Sequence, residues 1–246
     1  LFSLLVVYFY ALLFYASIVV AFGANHLLTL KHYRVVFTEG LRAIGDTLAI
    51  AAAGMLLGGL YGVVVGYLVG KKRFVSRGAM ELVAMINYSL PGTIVGIAYL
   101  IAFNAPPIVI TGTAAIIVAA YVFRYGATGI RTTVAILQQI DPSIEEASHS
   151  LGAGTLTTFR RVTIPLVLPG LFAGLGVVFI RSMTAISATI FLVSIHWTLI
   201  TVRILEKMTE LELGVAAAFS VFVVAVVLAG TAAIGLGLRR FRQPGA

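Results

Sequence analysis

The sequence predicts an all-α integral membrane protein: six transmembrane helices, with one polar helix–glycine–helix elbow held on the cytoplasmic side. Three observations carry this. Of 246 residues, 60% are apolar and 11% charged, against about 25% charged in soluble domains, so lipid must be the solvent for much of the chain. Six apolar runs approach or exceed the ~20 residues a helix needs to cross a hydrocarbon layer. The basic residues are shared unequally between the two sides those runs define.

The runs are 1–22, 44–69, 82–103, 108–123, 166–182 and 215–238. The first lacks the basic leading region of a signal peptide and exceeds its ~7–15-residue apolar core, so it reads as a span. Leu1 opens inside that run without an initiator Met, as in a trimmed chain or one cut from a longer protein. The second run carries Gly54, Gly58, Gly59, Gly62 and Gly66, small residues that let helix backbones approach closely in lipid. Pro91-Gly92 lies inside the third and should kink it. The fourth is short and is expected to continue past Arg124. A further stretch, 184–202, is apolar on average but studded with Ser, Thr and His196.

Charge decides the topology. Six spans with an inside N-terminus place Lys71, Lys72, Arg73, Arg77, Arg124, Arg131, Arg160, Arg161, Arg239, Arg240 and Arg242 on one face. The other receives Lys31, Arg34, Arg42, Arg203 and Lys207, with Arg181 in or at the end of a span. The positive-inside rule puts the first group in the cytoplasm. A span at 184–202 would move the Arg239–Arg242 cluster outside, so that stretch reads as an external loop or a partly inserted hairpin. Both termini are then cytoplasmic, and residues 1–246 form one transmembrane domain. The net charge of +8 marks cytoplasmic loops rather than nucleic-acid binding. With no cysteine, neither a disulfide framework nor a thiolate metal site is available.

The polar segment 141–165 is built as an elbow. Asp141 suits an N-cap and Pro142 the first helical position. Ser143 and Glu146 also fit a capping box, and Glu145 and Glu146 lie near the helix's positive end. Ile144, Ala147 and Leu151 share one face, with Glu145, His149 and Ser150 largely off it. Gly152 and Gly154 stop the helix. Thr155 starts a second short helix carrying Phe159, Arg160 and Arg161, and Pro165 and Pro169 bracket the return to the membrane. A connector resting on lipid would bring two carboxylates against an anionic leaflet, so the elbow reads as a feature offered to a protein groove.

Glu146-Ala147-Ser148, three residues, Gly152, nine residues and Val162-Thr163-Ile164-Pro165 resemble the EAA motif of ABC importer permeases. The family pattern is Glu-Ala-Ala, three residues, Gly, nine residues, Ile, one residue, Leu-Pro. Ser148 replaces the second Ala, Val162 the Ile and Ile164 the Leu, with the spacing intact between the fourth and fifth runs. The resemblance implies a type I importer permease fold in a bacterial or archaeal cytoplasmic membrane. It also implies a second permease subunit or half, two ATP-binding subunits gripping the elbows, and an external binding protein that delivers substrate. Glu146 would face the ATP-binding subunit and Gly152 would be the hinge. Glu145, Ala147, Ser148, Arg160 and Arg161 would complete the coupling surface, with Val162, Ile164 and Pro165 at its end. No GxxxxGK[ST] motif occurs here, so ATP and its Mg ion belong to a separate chain, and this chain is a transport subunit without a catalytic site or bound cofactor.

Leu90-Pro91-Gly92-Thr93 and the stretch from Arg181 to Thr189 are similar to the ferric-iron branch of this family, whose members are often double-length. Thiamine and phosphonate permeases look similar there too. Ferric iron is hard and prefers oxygen ligands; Ser182, Thr184, Ser187, Thr189, Ser194, Thr198 and Thr201 crowd the external end of the fifth run. The same hydroxyls also serve to satisfy backbone groups. His26, His32, His149 and His196 are too scattered for a metal centre. Arg181 is the sharpest residue, because a charge at a span centre costs ~2.5–3.5 kcal/mol on insertion scales. Gating, pairing with a carboxylate, and snorkelling to the interface all fit it. An ion-coupled transporter would place ionisable residues at span centres, and a membrane enzyme would converge acids, bases or nucleophiles at one depth. Neither pattern is visible.

Overall fold

In the computed structural model the described residues are 2–71 and 74–241. Leu1, Lys72, Arg73 and Arg242, which enter the sequence reading above, lie outside them. The elements are α1 (Phe2–Ile18), a hairpin of β1 (Val19–Ala21) and β2 (Asn25–Leu28), α2 (Lys31–Thr38), α3 (Leu41–Lys71), α4 (Arg77–Ser89), α5 (Gly92–Ala102) and α6 (Ala114–Leu137). Then follow α7 (Pro142–Ser150), α8 (Thr155–Thr158), a π-helical turn (Phe159–Thr163), α9 (Ile164–Met183), a 3₁₀ turn (Thr189–Phe191), α10 (Ile200–Thr209) and α11 (Leu213–Phe241).

Among the described residues, α3 and α11 are each long and apolar enough to cross a membrane. α4 and α5 reach that length only as a pair, bent by 113° at the break between them. The expected kink at Pro91-Gly92 is therefore a full break. Pro91 has no N–H for the helical ladder, and Leu90 before it takes extended angles (φ −71°, ψ 147°), as residues preceding proline do. α1 and the Gly174–Met183 part of α9 are apolar but shorter. The helix expected over 1–22 ends at Ile18, where the chain turns into the hairpin through Gly23 at φ +83°. α6 begins later than expected and, as expected, runs past Arg124 to Leu137. The stretch 184–202 forms no long helix.

The described chain divides into two compact units, each drawn from three stretches of sequence. The first holds Leu1–Ala51, Pro91–Ile117 and Met183–Ala229. Its core gathers Val36, Ile44, Ile200, Val215, Ala218, Phe219 and Val223. The N-terminus of α10 has donors without intrahelical partners, and side chains of α3 meet them: Thr47 Oγ1 accepts from Ile200 N–H at 2.9 Å and Asp46 Oδ2 from Thr198 N–H at 3.1 Å. At the other end of α10, Glu210 and Glu212 both lie 2.9 Å from Lys207 Nζ. Hydrogen bonds to Glu210 and then Glu212 hold that ammonium above its ordinary range.

The second unit holds Ala52–Leu90, Val118–Ser182 and Gly230–Ala246. Here the glycines of α3 act through close approach to α6. A Cβ on Gly62 would sit 2.8 Å from Gly129 Cα, and one on Gly66 would sit 2.7 Å from Thr133 Cβ. Val65, Val69, Ala84 and Ile130 pack alongside. A second cluster, Tyr67, Leu137 and Val167 with Ile136, Ile140 and Phe159 against it, lies beneath the elbow.

Candidate functional site: the elbow

The first arm, α7, starts as its sequence dictates. Asp141 is the N-cap, its Oδ1 accepting from Ser143 N–H at 2.9 Å, and Pro142 follows it. That bond to the Ser143 N–H holds the Asp141 carboxyl below its ordinary value. The cap belongs to Asp141, so the alternative capping box from Ser143 to Glu146 is not used, and Glu146 stays exposed. The arm ends in a Schellman motif: Gly152 N–H donates to His149 O at 2.9 Å, Ala153 N–H to Ser148 O at 3.1 Å, and Gly152 takes φ +81°. His149 Nδ1 lies 2.9 Å from Ala153 O, so this nitrogen carries the proton in that contact.

The second arm differs from the sequence reading, which treated it as a separate short helix. α8 passes through the π turn directly into α9, with Ile164 N–H donating to Phe159 O. Pro165 supplies a reason. It lacks an N–H, and its ring would press on the carbonyl four residues back in a regular helix; the wider π turn relieves both demands without ending the helix.

Three polar contacts brace the elbow. Ser148 Oγ and Thr158 Oγ1 join the two arms at 2.9 Å. Thr163 Oγ1 donates to Glu145 Oε1 at 3.2 Å, and Lys71 Nζ at the end of α3 lies 3.6 Å from Glu145 Oε2. Tyr67 of α3 and Phe159 pack with ring centroids 4.4 Å apart. Glu145 is therefore turned inward, a strut to α3 and the π turn rather than a group on the outer surface. Lys71, Thr163 and Tyr67 were not singled out from sequence; a lysine ending an apolar run was the available signal.

The outer surface is apolar where an isolated amphipathic helix would be polar. Ile144, Leu151 and Leu156 are 41%, 88% and 69% exposed, and Ala147 and Glu146 stand among them, also exposed. Arg160 and Arg161 are exposed too and, with Leu156 and Thr157, line an open cleft of about 480 Å³. Val162 and Ile164 are half-buried and Pro165 is exposed.

The other predicted residues lie elsewhere. In the first unit, Gly92 has no side chain where the Ser187 hydroxyl lies, and a Cβ on Gly96 would meet Ala188 O at 2.6 Å. The stretches beginning at Leu90 and ending at Thr189 thus meet at these glycines. Pro91, Thr184 and Ser187 are exposed and Thr189 is buried. Thr201 Oγ1 donates to Ala185 O at 2.7 Å, and Ser194 Oγ to Gly112 O at 2.8 Å, so these hydroxyls satisfy backbone groups. In the second unit Arg181 is exposed and Ser182 is buried. Among the described residues no carboxylate lies within ion-pairing distance of Arg181, and no group of His, Asp and Glu is arranged to hold a metal.

Comparison with known proteins identifies the family and the fold. The ferric transport system permease protein FbpB of Actinobacillus pleuropneumoniae is 35% identical over 225 residues, which cover 89% of this chain and 33% of that protein. The putative ferric transport system permease protein FbpB 1 of Haemophilus influenzae is 37% identical over 190 residues, covering 75% of this chain and 30% of the relative. The chain thus spans about a third of the length of the curated relatives it matches. In fold it is similar to a chain of a bacterial ABC transporter involved in the import of the acidic polysaccharide alginate, with TM-score 0.80 and 16% identity over 98% of this chain and 96% of that one. Residues 62–243, which contain the elbow and its brace at Lys71, match the family described as the binding-protein-dependent transport system inner membrane component, and the chain belongs to that family.

Proposed function

We propose that this chain is a permease subunit, or one permease half, of an ATP-driven importer that moves ferric iron delivered by an external binding protein. The observation that carries the reading is the elbow, which is braced on its inner side by Lys71–Glu145–Thr163 and shows Ile144, Ala147, Leu151 and Leu156 outward around Glu146. Exposed apolar groups collected on one rigid feature mark an interaction surface. Its occupant is an ATP-binding subunit, one on each of two permease units, carrying ATP and Mg.

In this reading the elbow lies in the cytoplasm, six spans cross the membrane with both termini inside, and a second permease unit completes the route. Closure of the ATP-binding subunits pushes the elbows, and the strut to α3 passes that motion to the membrane helices. The chain supplies the route and the lever; hydrolysis happens elsewhere. Ferric iron is the favoured cargo because relatives 35% and 37% identical over 89% and 75% of this chain are named as ferric permeases, whereas a sulfate permease covering 74% of it is 26% identical.

Co-purification with transport tests the whole reading. A tagged chain should bring down an ATPase, and the reconstituted complex should take up ferric iron only with ATP inside the ATPase compartment. Uptake that persists on an ion gradient with the ATPase inactivated would sink the importer reading. Stimulation by thiamine but not by iron would replace the cargo.

A further inference from the structure

Two arginines lie inside helices of the second unit without a carboxylate to answer them. Arg124 is near the middle of α6, inside the helix and not on the cytoplasmic face where the six-run charge count places it, and Arg181 is in the last turn of α9. Shared neighbours place them in depth. Tyr121 and Ser182 both flank Gly54 of α3, and Val122 and Val178 both flank Gly58. α6 and α9 therefore run side by side in opposite directions, and Arg124 and Arg181 lie within about one helical turn of the same level.

Neither charge is neutralised. Arg124 Nη1 donates to the Asn87 carbonyl at 3.3 Å, a neutral acceptor. None of the nine acidic residues falls in α6 or α9, and among the described residues neither arginine forms an ion pair. Arg181 is exposed and Arg124 half-buried. Ser182, beside Arg181, has a buried Oγ with no hydrogen-bond partner among the described residues.

Lipid is a poor medium for such a surface, since charges at membrane depth face a bundle interior or a water-filled route. Arg181 can extend from its helix end to the interface; Arg124 is half-buried and its guanidinium is held by the Asn87 carbonyl. Two guanidiniums at a similar level repel a bare cation, whereas their planar donor forks match oxyanions. A ferric ion takes oxygen ligands readily, and those ligands offset its charge.

We propose that Arg124 and Arg181 form an oxyanion station in the substrate route, so that iron crosses as an oxyanion-bearing ferric complex rather than as the bare ion. The cargo half of this statement rests on the ferric importer reading above; the station does not.

The test uses the full complex with its ATPase subunits in liposomes, given radiolabelled iron and radiolabelled phosphate through the binding protein. Both labels should enter together with ATP. The double variant Arg124→Gln/Arg181→Gln should lower both by about tenfold or more, the scale of one lost charge-assisted hydrogen bond, with ATPase association unchanged. Arg124→Lys/Arg181→Lys should retain most of the uptake. Iron entry at full rate without phosphate, phosphate entry without iron, or wild-type rates in the Gln variant would each overturn the proposal. If wild type takes up no iron, the importer reading for iron fails separately, and melting of the purified complex decides the station. Phosphate at constant ionic strength should raise the wild-type midpoint more than that of the Gln variant. Equal rises would overturn it.

Discussion

Glu145 and Glu146 are neighbours in sequence that face opposite ways. Glu145 points to Lys71 and Thr163, with 20% of its side chain exposed; Glu146 points out. Reversing Glu146 with Lys should release the ATPase subunits and leave the permease inserted, as pull-down against membrane fractionation would reveal. ATPase retention in Glu146→Lys would remove its docking role. Glu145→Lys and Lys71→Glu should each loosen the elbow from α3, by on the order of 1 kcal/mol for a partly exposed pair. The double exchange Lys71→Glu/Glu145→Lys should recover most of the coupling between ATP hydrolysis and uptake. A double variant no better than the singles would show that the pair transmits nothing. Spacing revealed the EAA motif, and with it both carboxylates. Which one faces inward depended on Lys71, more than seventy residues earlier, and local periodicity holds no information about it.

At the scale of elements, the first arm of the elbow was legible because its signals are local. Asp141 before Pro142 starts it, and Gly152 ends it in the left-handed region. No atom lies within 4 Å of a Cβ placed on Gly152, so substitution there is resisted by backbone conformation alone. Gly152→Val should cost about 1–2 kcal/mol and uncouple hydrolysis from transport, while Gly152→Asn, which tolerates that region, should be milder. Equal effects of Val and Asn would deny the left-handed turn its role. The Asp141 cap makes a pH-dependent contribution of defined sign. Its carboxyl is held below its ordinary value of 3.8 by the Ser143 N–H, so the contribution is complete above that value and is lost as pH falls through the lowered one. Amide exchange in α7 should therefore quicken on acidification in wild type, and Asp141→Asn should flatten that response. The second arm was less legible. The sequence reads a separate short helix followed by a return to the membrane at Pro165, yet α8 runs on through the π turn into α9, because a widened turn removes the clash that would otherwise end the helix at Pro165.

For the whole molecule, six spans with the elbow inside is a statement about sides, and a chain without cysteine suits its test. Ser150→Cys on the elbow should react with an impermeant thiol reagent only from the cytoplasmic side. Ile195→Cys, at a position 84% exposed, should react only from outside. Labelling of both from one side would overturn the topology.

Composition, run length and basic-residue bias depend only on how residues partition between water and lipid, so sequence alone established a helical membrane chain with a polar elbow. Motif spacing established its kind. What only the tertiary structure decided was orientation and neighbourhood. The inward turn of Glu145, the approach of Gly62 to Gly129 and the shared level of Arg124 and Arg181 all join residues far apart in the chain. Each depends on which helix packs against which, and side-chain contacts across tens of residues leave no period in the sequence to read. The elbow, recognised first as a polar interruption, is in the folded chain an apolar outer face held rigid by a polar inner one.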